Sequence, residues 1–216
     1  FEKMLYDNTQ FILLLSKYCK IKSDDYFKHK LKQSIEFLIK NFTTNDSGLM
    51  GSAYDADSDG VEGKYYVFSY NEIKHLEDID KFFEIDTKGN WENKIILIEK
   101  KLPPKDLIKK LMNIRLKKNK PFFDKKIQLD LNCLWISSLV AANEILPEKK
   151  YLEQAETYFI KIEKLFLDKG IHHSYSKNLV FLEDYAFLIN ALLDLSNATM
   201  NFKYTDIAKK LCNEVI

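Results

Sequence analysis

The densest chemistry in this chain lies in Tyr54-Asp55-Ala56-Asp57-Ser58-Asp59-Gly60-Val61-Glu62-Gly63. Asp55, Asp57, Asp59 and Glu62 crowd a stretch that has no helical period. Crowded carboxylates raise one another's pKa, which is what a general acid needs at neutral pH. Loops held on a rigid scaffold are common places for such groups. Asp55, Asp57 and Asp59 with Gly60 also fit the start of a calcium loop. The position where that loop wants a bidentate Glu is Tyr66, which argues against calcium. A solvated acidic turn before a strand is the plain alternative.

A second set of acids opens the apolar segments: Glu2, Asp7, Asp130, Glu183 and Asp184. If those segments are helices arranged in a ring, their equivalent ends meet at one mouth and the acids face a shared cavity. Two carboxylates on opposite sides of a sugar are what glycoside hydrolysis requires. The competing role is capping, because Asp at a helix start accepts from free backbone amides and meets a favourable dipole. Tyr6, Tyr54, Tyr185 and Trp91 have faces on which a sugar ring can stack.

The histidines are His29, His75, His172 and His173. His172-His173 reads as a surface loop with no second metal-ligand pair at useful spacing. The chain lacks HExxH, a phosphate-binding Gly-rich loop and a dinucleotide fingerprint. No metal and no cofactor is therefore expected. Cys19, Cys133 and Cys212 are odd in number, far apart and without a CxxC pair, which points to a reducing, cytoplasmic compartment.

These groups need elements to hold them. Met4, Leu5, Phe11, Ile12, Leu15, Tyr18 and Cys19 form one helical stripe, and Phe27, Leu31, Ile35, Leu38 and Phe42 another. Ser23 and Asp24 can cap the second, and the short link between them makes an antiparallel hairpin. Residues 45–70 break the helical period, with turns at Asn45-Asp46-Ser47-Gly48 and Asp59-Gly60. Short strands are expected at Lys64–Phe68 and Ile95–Ile98, with a weak helix near 71–78. Helices resume after Pro103-Pro104. Leu131 to Leu146 makes a clear stripe, and Pro147 suits the first turn of the next helix. A very apolar helix follows from Glu183 to about Thr199, and a last one begins near Tyr204. The helix at 183–199 would suit an inner ring, being buried on most sides. Similar openings at Leu5, Leu129 and Leu182 suggest repeated hairpins, which stack to hide their apolar faces.

Composition sets the class. The 216 residues carry 46% apolar and 30% charged side chains, with 6 Gly and 4 Pro. That is material for a folded, mainly helical chain rather than disorder or a disulfide scaffold. No apolar run approaches the roughly 18–20 residues that cross a bilayer, so no membrane partner is expected. The 33 basic and 32 acidic residues are interspersed and give a net charge of +1. Arg115 is the sole arginine, so no nucleic-acid partner is expected either.

Taken together, the blocks resemble a known family. Phe1-Glu2-Lys3-Met4-Leu5-Tyr6-Asp7-Asn8 is similar to a signature of the thioredoxin-domain-containing, spermatogenesis-associated-protein-like family. Ser52-Ala53-Tyr54-Asp55-Ala56-Asp57-Ser58 with Glu62-Gly63-Lys64-Tyr65-Tyr66-Val67, Gly89-Asn90-Trp91-Glu92, and Phe181-Leu182-Glu183-Asp184-Tyr185-Ala186 resemble three further blocks in family order. The resemblance implies an (α/α) toroid similar to six-hairpin glycosidases and N-acylglucosamine 2-epimerases, preceded in the family by a thioredoxin-like domain. Residues 1–216 would then be a single, partial toroid domain from a longer polypeptide, and the family's thioredoxin-like domain would be its partner. In the block from Asp124 to Cys133, Asp124, Lys126 and Asn132 match the family, while Lys125, Leu131 and Cys133 replace an acid, a Trp and a Gly.

The expectation is an all-α, incomplete (α/α) toroid of helical hairpins with a small β-hairpin or irregular insertion at about 45–100. Its acidic cavity would bind or act on a carbohydrate, in the manner of a glycosidase or a sugar epimerase. Asp57, Asp184 and Asp7 are the candidate acid/base groups. Asp55, Glu62, Glu183, Tyr54 and Tyr6 are the candidate ligand contacts, to which the resemblance adds Asn132. The alternative is a non-enzymatic scaffold that works with a thioredoxin-like domain.

Overall fold

Asp24 opens a helix as its sequence suggests: its side chain accepts from the amides of Tyr26 and Phe27 at 2.9 and 3.4 Å, two donors a helix start leaves free. The computed structural model describes residues 1–146, 150–168, 170–174 and 179–216. Its helices are α1 (Leu5–Ile21), α2 (Asp25–Phe42), α3 (Tyr70–Ile73), α4 (Ile79–Phe82), α5 (Lys105–Arg115), α6 (Leu129–Asn143), α7 (Lys150–Ile162), α8 (Leu182–Thr199) and α9 (Lys203–Val215). Its strands are two residues long: β1 (Lys3–Met4), β2 (Ala53–Tyr54), β3 (Asp57–Ser58), β4 (Val61–Glu62), β5 (Phe83–Glu84), β6 (Ile98–Glu99) and β7 (Phe123–Asp124). The chain divides into two compact units, Phe1–Lys3 with Tyr54–Phe123, and Met4–Ala53 with Asp124–Ile216.

The second unit is made of three helical hairpins, α1/α2, α6/α7 and α8/α9. Helix α6 packs against α1, α7 and α8, and α8 against α6 and α9. An inner row of α1, α6 and α8 is therefore covered by an outer row of α2, α7 and α9. Helix α2 turns Leu31, Ile35, Leu38 and Phe42 inward, all fully buried, at the spacing that lays residues along one face. Helix α8 takes the inner place expected of it, and α6 is buried further still. All residues of α6 except Ala141 and Asn143 are buried, whereas Leu182 and Leu193 on α8 are 71% and 40% exposed. Small residues on α6 (Cys133, Ser137, Ser138, Ala142) let three neighbours close on it, and Ser138 Oγ reaches Thr9 O on α1 at 3.0 Å. Pro147 lies outside the described residues. Where α7 ends, Glu163–Leu167 forms a π turn.

The first unit packs α5 over Phe68, Ile73, Leu76, Ile79, Phe83 and Ile95 through Leu107 and Leu111. Strands β3 and β4 pair as a hairpin, with Asp57 opposite Glu62. Asp59 and Gly60 turn it at φ +53° and +71°, the left-handed pair that matches strand twist. The strand expected at Lys64–Phe68 is a turn instead. Tyr66 and Val67 donate to Gly63 O at 2.8 and 3.1 Å, and Gly63 at φ +69° makes that turn possible. Only Phe68 bridges to Ile95. At the other expected strand, Ile98 and Glu99 pair with Glu84 and Phe83. The helix expected near 71–78 is the short α3, closed by a Ser69–Glu72 capping box. The Gly89-Asn90-Trp91-Glu92 block builds a turn: the Asn90 amide exchanges two hydrogen bonds with the Ile96 backbone.

Candidate functional site

The N-terminal ends of α6 and α8 come together through the loop that precedes α8. Leu129 N, at the start of α6, donates to His173 O at 2.9 Å. Asp184, in the first turn of α8, accepts the Phe181 amide on Oδ2 at 2.9 Å and thereby caps its own helix. Its Oδ1 lies 2.9 Å from His173 Nδ1. Gln128, just before α6, places Nε2 2.8 Å from His173 Nε2. An amide NH2 can only donate, so His173 Nε2 accepts and Nδ1 carries the proton that goes to Asp184. Behind Gln128, Ser52 Oγ lies 2.8 Å from its Oε1 and 2.6 Å from Lys126 O. Ser52 O also accepts from Leu5 N at 2.9 Å, so the start of α1 is tied to the same end.

Asp130 stands one residue inside α6, with Oδ1 4.0 Å from His173 Nδ1. That oxygen is buried and has no hydrogen-bond partner among the described residues. Burial raises the Asp130 pKa above the ordinary carboxylate value; the Leu131 amide and His173 pull it back, while Asp184 and Glu183 push it further up. Ligand atoms of Asp130, His173 and Glu183 all lie within 4.8 Å of one another. Both imidazole nitrogens are already committed to Asp184 and Gln128, so a metal ion there would have to displace one of them. The arrangement offers an oriented imidazole, a carboxyl held toward its protonated form, and Glu183 exposed at the rim. That is acid–base chemistry.

The structure places the expected residues in three groups. Glu183 and Asp184 join Asp130 and His173 in the second unit. Asp7 and Tyr6 are exposed in the first turn of α1. Asp55, Asp57, Glu62 and Tyr54 belong to the first unit, where Asp55 Oδ1 accepts the Asp57 amide at 3.1 Å and Tyr54 stacks on Phe123 at 4.5 Å. Asp57 and Glu62 are exposed and directly opposite each other on the hairpin. Asp59 cannot serve a calcium ion as the loop pattern asked. Its carboxylate accepts from Lys64 on Oδ2 at 2.9 Å and from Asn119 on Oδ1 at 2.8 Å.

Asn132 is an internal brace rather than a ligand contact. It is fully buried. Its Oδ1 accepts from Met50 N at 2.8 Å, and its Nδ2 donates to Met50 O and Gln128 O at 3.0 and 2.9 Å. His173 is the group that sequence reasoning set aside as a surface loop; its side chain is only 18% exposed. The signal for it was Asp184 itself. A carboxylate buried at the start of an apolar helix needs a donor beyond its cap amide, and a histidine in the preceding loop can supply one.

No protein-family model matches the chain. A segment of 82 residues, 35% of this chain, is 30% identical to spermatogenesis-associated protein 20 of Homo sapiens, in agreement with the motif resemblance, and spans 10% of that protein. Among solved structures, a sugar epimerase from a ruminal bacterium superposes with a TM-score of 0.60 at 14% identity, over 97% of this chain and 42% of that one. The cellobiose 2-epimerase of Spirochaeta thermophila gives 0.62 at 10% identity over the same shares. The fold is that of these sugar epimerases, an (α/α) arrangement of helical hairpins, and the chain spans less than half the length of either. No helix among the described residues is long and apolar enough to cross a membrane.

Proposed function

We propose that the second unit is a carbohydrate-active domain of the epimerase type, working where Asp130, His173, Glu183 and Asp184 gather. The observation that carries this reading is the 2.9 Å contact between His173 Nδ1 and the fully buried Asp184. A carboxylate that fixes one tautomer leaves the opposite ring nitrogen as a base. Gln128 covers that nitrogen, and a sugar would enter by taking the place of its amide. His173 Nε2 then removes a proton next to the sugar carbonyl, and Asp130, its pKa raised, supplies one. Asp184 acts as a positioning residue. Glu183, Asp7 and Tyr6 offer contacts to sugar hydroxyls. The exposed Asp57–Glu62 pair, with Asp55 and Tyr54, is a separate candidate carbohydrate contact on the first unit.

The test is proton NMR of a panel of aldoses and cellobiose in D2O with the purified protein. The expected result is loss of the C2 proton signal of one sugar, abolished by His173→Asn. Absence of both exchange and calorimetric binding across the panel sinks the reading. Binding without exchange favours the alternative, a non-enzymatic module, for which the Gln128 contact on His173 Nε2 is the supporting observation. The partial match to spermatogenesis-associated protein 20 supports reading the chain as part of a longer, thioredoxin-domain-containing protein. Three free cysteines, Cys19, Cys133 and Cys212, favour a cytoplasmic site.

A further inference from the structure

The second unit also holds a cavity of about 630 Å³ whose wall carries Lys125, Lys126, Lys161, Lys164 and Ser47, with Asp46 as the one acid among its described lining residues. The chain as a whole is nearly neutral, at +1, so four lysines against one aspartate are a local concentration of positive charge. The lysines come from two separate segments, the stretch after β7 and the end of α7 with its π turn, and the turn after α2 adds Asp46 and Ser47.

Two features hold them in place. Lys161 Nζ donates to Gly48 O at 3.0 Å, and a Cβ at Gly48 would stand 2.5 Å from that Nζ. Gly48, at φ +66°, both permits the turn and lets the lysine close on it. Lys164 lies in the π turn Glu163–Leu167. A π turn is rare and frequently lies at a functional site. Lys126 is paired with Asp124 at 3.2 Å. Lys125 and Lys164 are exposed and carry no ion pair among the described residues, so their charge is available.

We propose that this cavity binds the phosphomonoester group of a phosphorylated sugar. Ammonium groups converging from separate segments, here two, can hold a phosphate dianion. The volume exceeds what a bare phosphate fills and suits a small attached body. Ile127 and Ser174 in its wall are the chain neighbours of Gln128 and His173, so the phosphoryl group anchors a ligand beside the imidazole. The sugar half of this assignment rests on the function proposed above; the anion half does not.

The test is calorimetric titration of the purified protein with inorganic phosphate, a hexose 6-phosphate and the parent hexose, at low and high salt. Both phosphates should bind, the hexose phosphate at least about tenfold tighter than the hexose, with affinity falling as salt rises. The double variant Lys125→Gln/Lys164→Gln should weaken both phosphates about tenfold, while Lys209→Gln/Lys210→Gln on α9 changes nothing. Both pairs are exposed, and circular dichroism verifies that each variant is folded. Phosphate binding that the first double variant leaves unchanged overturns the proposal, as does no binding at millimolar phosphate. If the hexose binds equally with and without its phosphate, the anion site falls and the carbohydrate reading stands. If inorganic phosphate binds as well as the hexose phosphate, the anion site stands and the sugar half falls.

Discussion

One carboxylate, Asp184, holds both the first turn of α8 and the ring of His173: Oδ2 takes the Phe181 amide and Oδ1 lies 2.9 Å from His173 Nδ1. An amide in its place keeps one of these bonds and opposes two donors in the other. Asp184→Asn should therefore cost about 2 kcal/mol, read from urea unfolding. It should also move the imidazole proton to Nε2, which nitrogen-15 NMR detects. An unchanged tautomer would mean that Asp184 does not orient the ring.

Asp130 gives a pH signature. Its pKa is raised, chiefly by burial, so the folded chain keeps a proton over a range where the unfolded chain has lost it. That contribution to stability is fully present below the unfolded pKa and is lost as pH climbs through the folded one. Once pH has climbed past it, the charged, partnerless oxygen is a cost. Asp130→Asn should raise the melting temperature by about 2 °C on the alkaline side of that titration, and the gain should vanish at pH 3. A gain that persists at pH 3 would assign the effect to something other than the charge.

Asn132 should matter for stability first. Asn132→Ala removes three hydrogen bonds, two of them buried, and strands the Met50 N–H and C=O. A loss of about 3 kcal/mol is expected, measured as a lower urea midpoint. A variant of full stability but altered sugar affinity would restore it as a ligand contact.

Among the described residues, Lys3 in the first unit is the most perturbed amine. Burial, then the nearby Arg115 charge, lowers its pKa to about 8. Between that value and the ordinary lysine range the unfolded chain binds the proton and the folded chain does not, so stability rises with pH there. At pH 8 about half of Lys3 is neutral. Mass spectrometry after brief acetylation should find it modified ahead of the other lysines. Equal labelling of exposed Lys20 would remove the case for a lowered pKa.

The sequence by itself determined the helices. Leu31, Ile35, Leu38 and Phe42 recur at helical spacing, Asp24 supplies a local cap, and Asp59-Gly60 specifies its own hairpin turn. Each of these depends on residues a few positions apart, which is the range that periodicity and turn chemistry read. Tertiary structure decided the rest. Helix α6, with Asp130 as its one charged residue, is more buried than α8 because three helices close on its small residues. Lys64–Phe68 curled into a turn because Gly63 sits in a left-handed conformation there. Asn132 was spent on Met50, and His173 was drawn from its loop to Asp184 and Gln128. Those pairings join segments far apart in the chain. They are selected by the cost of leaving a buried donor or acceptor unpaired, a cost that exists only once the helices have packed.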